Sequence, residues 1–182
     1  EIVLKRPDLS CRISTQGQDI VVKAEPVDRV VDTTAAGDSF AAAYLAARLT
    51  ALEDIDAIRQ LKARYLRCCD LKKVDELRDT FLPGPIRIEY QNFPVFTDRD
   101  AFLKVYQEMA CQDGVYDIHH ASNGEIALTG PDTATGKWSL NFRTILLATR
   151  SVTRLGVEYE DVYRKQDGRW YMVLGAQDVQ QR

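Results

Sequence analysis

The chain of 182 residues has no excess of positive charge: 24 Lys and Arg stand against 27 Asp and Glu, for a formal net charge of -3 and a pI near 5.5. Without a basic stripe to neutralise phosphates, nucleic acid is not an expected partner. No apolar run is long enough to span a bilayer as a helix, so no membrane partner is expected either. The opening EIVLKRPDLS lacks the make-up of a secretory signal, and a cytoplasmic location is the expectation. Cysteine is sparse and badly spaced for metal: Cys11, Cys68, Cys69 and Cys111 include no C-x-x-C pair, and adjacent Cys68 and Cys69 are poorly disposed to ligate one tetrahedral zinc. Reduced, partly buried thiols are expected in place of disulfides. Histidine is scarcer still, and both copies, His119 and His120, are adjacent.

What is present is apolar material. Hydrophobic residues make up 45% of the chain and charged residues 28%, which suits a globular protein with a real core. The length allows one domain, or one domain plus a fragment.

Short apolar runs come first, at residues 1–5, 11–15, 20–23 and 27–31. Turn signals at Arg6-Pro7-Asp8 and Gly17-Gln18 and the proline Pro26 separate them, so they read as strands. Asp32-Thr-Thr-Ala-Ala-Gly-Asp-Ser-Phe40 then leads into the alanine-rich stretch 41–49, a good helix. The run DTTAAGDSFAAAYLAARL resembles the C-terminal signature of the ribokinase-like sugar kinases, and within them the 2-keto-3-deoxygluconate kinases. The resemblance implies a helix N-terminus serving as an anion hole, with Asp38 as the base that takes the sugar hydroxyl proton. The usual Gly-Ala-Gly-Asp is Ala35-Ala36-Gly37-Asp38 here. Phosphoryl transfer needs nucleotide, metal and acceptor positioned together, and the lid and most of the nucleotide pocket have no counterpart. Residues 1–50 are therefore expected to be a partial sugar-kinase segment without kinase activity of its own. A capping box, Thr50-Ala-Leu-Glu53, marks the expected boundary, with one helix ending near Leu49 and another beginning; a single long helix through Ala51 is the alternative.

From residue 51 onward the periodicity is helical first. Ile55, Ile58, Leu61, Tyr65, Leu66 and Cys69 lie on one face of a helix over 53–69, Val74, Leu77 and Phe81 mark a shorter one, and Asp98 opens a third. Ile86, Ile88 and Tyr90 alternate as a half-buried strand. Four long strands follow, at 116–128, 135–149, 153–165 and 169–177, with Asp167-Gly168 as a hairpin turn. Helices followed by a long antiparallel meander give an α+β class with the helices on one face of the sheet.

The central stretch is YDIHHASNGEIAL, residues 116–128. Strict alternation gives Ile118, His120, Ile126 and Leu128 one face and His119 with Glu125 the other. On that parity His120 lies among apolar side chains, either as a satisfied core residue or as the acid/base group of a pocket. Asp161 shares an apolar face with Val157, Tyr159 and Tyr163, and a carboxylate so placed acquires a cationic partner or a raised pKa.

The element order and the phrases IRQLKARYLRCCDLKKVDELRDTF, HHASNGEIALTGPDTATGKW and YRKQDGRWYM resemble the SnoaL-like branch of the nuclear transport factor 2-like superfamily. That resemblance implies a cystatin-like cone, a curved antiparallel sheet wrapped around three helices and open at one end, over residues 51–182. Among its members the scytalone dehydratases match residue by residue. Their helix-ending aspartate falls on Asp70, their strand tyrosine on Tyr90 within Arg87-Ile-Glu-Tyr, and their first histidine on His120. Cys69 stands where they have tyrosine, and their second histidine would fall near Ile145. The implied chemistry is a cofactor-independent and metal-independent lyase or isomerase for a hydrophobic small molecule. His120 abstracts a proton next to a carbonyl, Asp70 orients the imidazole, Tyr90 polarises the carbonyl, and Asp161 is a second carboxylate candidate. The alternative is a non-catalytic ligand-binding or assembly module with the same cone. The resemblance also implies a homodimer through the outer sheet face, with Trp170, Met172 and Leu174, or their odd-numbered neighbours, as the row in need of cover.

Overall fold

A computed structural model describes residues 2–6, 10–15, 18–23, 36–90 and 94–180. The chain divides into two compact units, Glu1–Tyr44 and Leu45–Arg182.

In the first unit, β1 (Ile2–Lys5), β2 (Cys11–Thr15) and β3 (Gln18–Val22) form an antiparallel sheet in that order. Leu4 pairs with Arg12, and Ile13 with Ile20. These are three of the four expected strands; the fourth, 27–31, and the start of the sugar-kinase-like motif lie outside the described residues. Asp38 is exposed in the first turn of α1 (Ala36–Leu71). The Lys5 ammonium donates to the Gly37 carbonyl at 2.8 Å and lies 5.0 Å from the centre of the Phe40 ring.

The helix α1 does not stop near Leu49. Capping by Thr50 requires extended backbone at that residue and is worth about 1 kcal/mol. The alanines, leucines and arginines on both sides favour continued helix, and a break would forfeit several intrahelical hydrogen bonds.

In the second unit, Ile58, Leu61, Tyr65, Leu66 and Cys69 of α1 are buried, as their spacing predicts. There follow α2 (Val74–Arg78), β4 (Arg87–Tyr90), α3 (Arg99–Ala110), β5 (Val115–Gly130), β6 (Thr133–Leu146), β7 (Ser151–Gln166) and β8 (Arg169–Gln180). Asp98 caps α3 by accepting from the Ala101 amide at 2.8 Å. The sheet runs β4-β8-β7-β6-β5, antiparallel except for the β4–β8 pair. This is the expected α+β class with a curled sheet. Asp167 and Gly168 both have positive φ, 51° and 75°, the combination a type I′ hairpin turn requires.

Aromatic rings packed edge to face join α1, α3 and the sheet. Ring centres are 5.7 Å apart for Tyr65–Phe81, 5.8 Å for Phe81–Phe102 and 5.9 Å for Tyr90–Tyr159. Asp54 on α1 accepts from Lys165 Nζ at 2.7 Å and from the Trp170 indole at 2.8 Å, which ties the helix to the β7–β8 hairpin. Trp170 and Met172 are core residues, so the chain itself already covers the row they form.

Strand β5 carries the feature that decides the site. Its pairing with β6 runs from Val115↔Leu146 to Ser122↔Ser139 and resumes at Glu125↔Lys137, so Asn123 and Gly124 face the single residue Trp138. This is a β-bulge, with Asn123 at φ 53°. A Cβ on Gly124 would come within 2.3 Å of the Trp138 ring, so glycine is what allows the indole to lie against the strand. The extra residue reverses the parity. Asp117 and His119 point inward before the bulge, whereas Ile126 and Leu128 do so after it. The expectation that His120 shares a face with Ile126 and Leu128 is therefore corrected. His120 is exposed, and His119 faces the interior.

Candidate active site

The site is assembled around the end of α1. The Lys73 amide bonds to the Cys68 carbonyl at 3.0 Å and the Lys72 amide to the Cys69 carbonyl at 3.4 Å, the paired bonds of a Schellman turn. Lys72 occupies its left-handed position at φ 57°, where glycine is usual. The Lys72 ammonium pairs with Asp117 of β5, which fastens the helix end to that strand.

This fastening brings Asp70, in the last turn of α1, against His119. His119 Nδ1 lies 2.6 Å from Asp70 Oδ1, and the His119 backbone amide donates to Asp70 Oδ2 at 3.3 Å. The carboxylate takes the Nδ1 proton as its hydrogen-bond donor, so Nε2 carries the lone pair. The imidazole leans on Phe142, ring centres 4.7 Å apart.

His119 and Asp117 line a cavity of about 400 Å³. Its wall is mostly apolar, with Phe96, Phe102, Val105, Phe142 and Leu146. Four tyrosines also line it: Tyr106, whose hydroxyl donates to the Cys69 carbonyl at 2.7 Å, and the group Tyr65, Tyr90 and Tyr159. The Tyr65 and Tyr90 hydroxyl oxygens are 2.6 Å apart. One donates to the other, and the accepting hydroxyl keeps its own hydrogen for a third atom. Burial raises the hydroxyls of Tyr65, Tyr90 and Tyr159 above the ordinary tyrosine pKa, so they are protonated donors at neutral pH. Burial likewise pushes the Cys69 thiol up, which leaves it un-ionised at neutral pH.

Behind the tyrosines lies a buried ion pair. Lys62 Nζ is 2.7 Å from Asp161 Oδ2, with both side chains at most 1% exposed. The ammonium also sits 3.7 Å from the centre of the Tyr159 ring. The Tyr163 hydroxyl donates to Asp161 at 2.7 Å and receives the Trp138 indole N–H at 3.1 Å. Burial draws the Lys62 pKa below the ordinary lysine value, against the upward pull of Asp161.

Of the four residues expected in the site, Tyr90 lines the cavity, and Asp70 stands behind its wall in contact with His119 instead of His120. Asp161 acquires the cationic partner its burial called for and is not among the cavity-lining side chains. Tyr65, Asp117 and Lys62 were missed. Lys62 was legible, because it lies four residues from both Ile58 and Leu66 and so falls on the apolar face of α1. Asp117 becomes legible only once its parity is tied to His119. Among the described residues no group of three or more His, Cys, Asp or Glu is placed to hold a metal ion, and no helix is long and apolar enough to cross a membrane.

Residues 50–174 match the family model of the SnoaL-like domain. The chain belongs to the SnoaL-like family. Residues 1–60 match a second model, the pfkB family carbohydrate kinases. This part of the SnoaL-like chain is 46% identical over 63 residues to the 2-dehydro-3-deoxygluconokinase of Escherichia coli and 43% identical over 63 residues to that of Dickeya dadantii. Those stretches are 33% of this chain and 20% of either kinase, so the chain spans about a fifth of these relatives.

Solved structures share the cone. A candidate scytalone dehydratase of Novosphingobium aromaticivorans superposes with a TM-score of 0.67 at 22% identity, over 72% of this chain and 87% of that one. The hexachlorocyclohexane dehydrochlorinase of Novosphingobium barchaimii gives a TM-score of 0.67 at 15% identity, over 74% and 91%. A cystatin-like NTF2-like protein from Novosphingobium aromaticivorans gives 0.63 at 21% identity, over 74% and 87%. At these identities the likeness establishes the fold.

Proposed function

We propose that the SnoaL-like unit is a lyase or isomerase for a hydrophobic, oxygenated small molecule, with His119 as its base. The observation that carries this reading is the 2.6 Å contact between His119 Nδ1 and Asp70 Oδ1 at the wall of an apolar cavity. Asp70 fixes the tautomer that leaves the Nε2 lone pair free, and Nε2 takes a proton from the carbon next to a carbonyl. The Tyr65–Tyr90 pair donates to the carbonyl oxygen as negative charge gathers there. Where the substrate has a β-hydroxyl, the imidazolium returns the proton to it, water leaves and a double bond forms. Without a leaving group the proton returns at another carbon, and the reaction is an isomerisation. These steps call on no cofactor.

Two solved structures of the same fold support the elimination, since one is a dehydrochlorinase and another a candidate dehydratase. The cavity volume of about 400 Å³ suits a molecule of one or two rings. The kinase match covers 20% of the kinase, and this reading concerns the SnoaL-like unit alone.

The test is a panel of cyclic β-hydroxy ketones. Conjugated enone absorbance reports elimination, and deuterium uptake from solvent reports proton abstraction. His119→Asn should lose about a hundredfold or more in rate while the fold is kept, and His120→Asn should turn over as the parent does. Normal turnover by His119→Asn would remove the base assignment. Saturable binding with neither elimination nor exchange would make the cone a ligand carrier.

A further inference from the structure

His120 does not face the cavity, and its surroundings differ in kind from those of His119. It lines two concavities. One, about 560 Å³, has Arg59 and Arg67 of α1 along it and the Asp70–His119 pair in its wall. The other, about 200 Å³, is formed by Ile118, His120, Asn141, Arg143 and Arg154. On the sheet, Arg143 of β6 stands directly opposite Arg154 of β7, and Asn141 opposite both His120 and Gly156. A Cβ at Gly156 would meet nothing within 4 Å, so the floor beside Asn141 is open.

Two guanidiniums directly opposed across a ladder repel each other. A neighbouring carboxylate usually relieves such a pair, and among the described residues none is paired with either. Among the described residues Arg59, Arg67, Arg143 and Arg154 form no ion pair, while Lys62, Lys72, Arg78, Arg87 and Lys165 each have one. Glu158, which shares a neighbouring hollow with Arg154, accepts from Ser139 Oγ at 3.1 Å. Among the described residues Asp70 is the one carboxylate lining either concavity, and it is bound to His119. A chain of net charge -3 has thus placed two of these guanidiniums beside His120 in one hollow and the other two along the second hollow that His120 lines. Arginines held in this way accept bidentate oxyanions, and a bound anion between Arg143 and Arg154 turns their repulsion into attraction.

We propose that the recess around His120 is an oxyanion-binding site for the phosphate or carboxylate group of a small molecule. Arg143 and Arg154 form the clamp, and His120 and Asn141 supply further donors. The hollow of Arg143 and Arg154 does not include His119, and the proposal does not rest on the lyase reading.

The experiment uses the full chain with pyrophosphate as the phosphate probe and citrate as the carboxylate probe. Each is titrated by calorimetry against sodium chloride at matched ionic strength. The two histidines are followed by their ring resonances. One probe or both should bind saturably beyond chloride, and which one binds names the anion class. The His120 ring should shift with the binding curve and the His119 ring much less. Arg143→Gln and Arg154→Gln should each weaken binding by about tenfold or more, with melting temperature unchanged or raised because the repulsion is relieved. Absence of binding beyond chloride overturns the proposal, as does binding that survives the double replacement. Sedimentation runs in parallel. If the replacements change only the association of chains, the recess is an interface between copies, and the proposal fails.

Discussion

The two compact units contain apolar strands of similar make-up and bury them very differently. In the second, Tyr163, Ile88 and Met172 are fully buried, because the sheet has helices α1 and α3 to pack against. In the first, Leu4 is 55% exposed and Ile20, Val21 and Val22 are 50–52% exposed, although they alternate and pair as regular strands. Strand periodicity secures hydrogen-bonded pairing, but burial requires a second layer. Ionisable groups follow the same division. The first unit pairs Arg12 with Asp19 in solvent, whereas the second holds Lys62 and Asp161 out of water altogether. A solvated pair of that kind is worth little, and a dry one is costly to break.

The sharpest test of that contrast is the dry pair. Lys62→Met leaves Asp161 buried without its cation and should cost about 3–5 kcal/mol, read from urea unfolding followed by the fluorescence of Trp138 and Trp170. The double replacement Lys62→Met with Asp161→Leu should recover most of the loss. If the single replacement proves harmless, Lys62 does not carry a charge in the folded protein.

Alkaline titration comes next. Tyr65, Tyr159 and Tyr163 are at most 3% exposed, and burial raises the pKa of each. The folded state then keeps protons that the unfolded chain releases, so their contribution is intact below about pH 10 and is lost as pH rises beyond it. Each tyrosine contributes a slope of up to about 1.4 kcal/mol per pH unit. Lys62, with its lowered pKa, works in the opposite direction and offsets part of the loss. Tyrosinate absorbance should lag behind model tyrosine and appear together with unfolding; gradual titration in the folded protein would contradict the burial.

Gly124→Ala is a smaller perturbation of the same unit. Its methyl group would overlap the Trp138 ring, for an expected cost of about 1–3 kcal/mol. The same melt applies, and an unchanged midpoint would mean that the bulge is not pinned by this contact. Ile20→Thr, at a half-exposed strand position in the first unit, should change stability by under about 0.5 kcal/mol. A larger loss would show that this sheet is covered in solution.

The four long strands, the helix over 53–69 and the Asp98 cap were legible in the amino-acid sequence. Each depends on a pattern within a few residues, such as alternation, a 3.6-residue recurrence or a side chain reaching its own first turn. Asp70 and Tyr90 were singled out through a family resemblance in phrases that the fold keeps local. The inward histidine was not. Alternation counted from Ile126 and Leu128 selects His120, and it fails because Asn123 and Gly124 together face Trp138, a residue on another strand. Whether a strand bulges depends on what its neighbour must fit, here an indole against a missing side chain. The pairing of Lys62 with Asp161 has the same origin. Either residue alone is only a charge on an apolar face, and tertiary packing made them partners by bringing α1 and β7 into one dry interior.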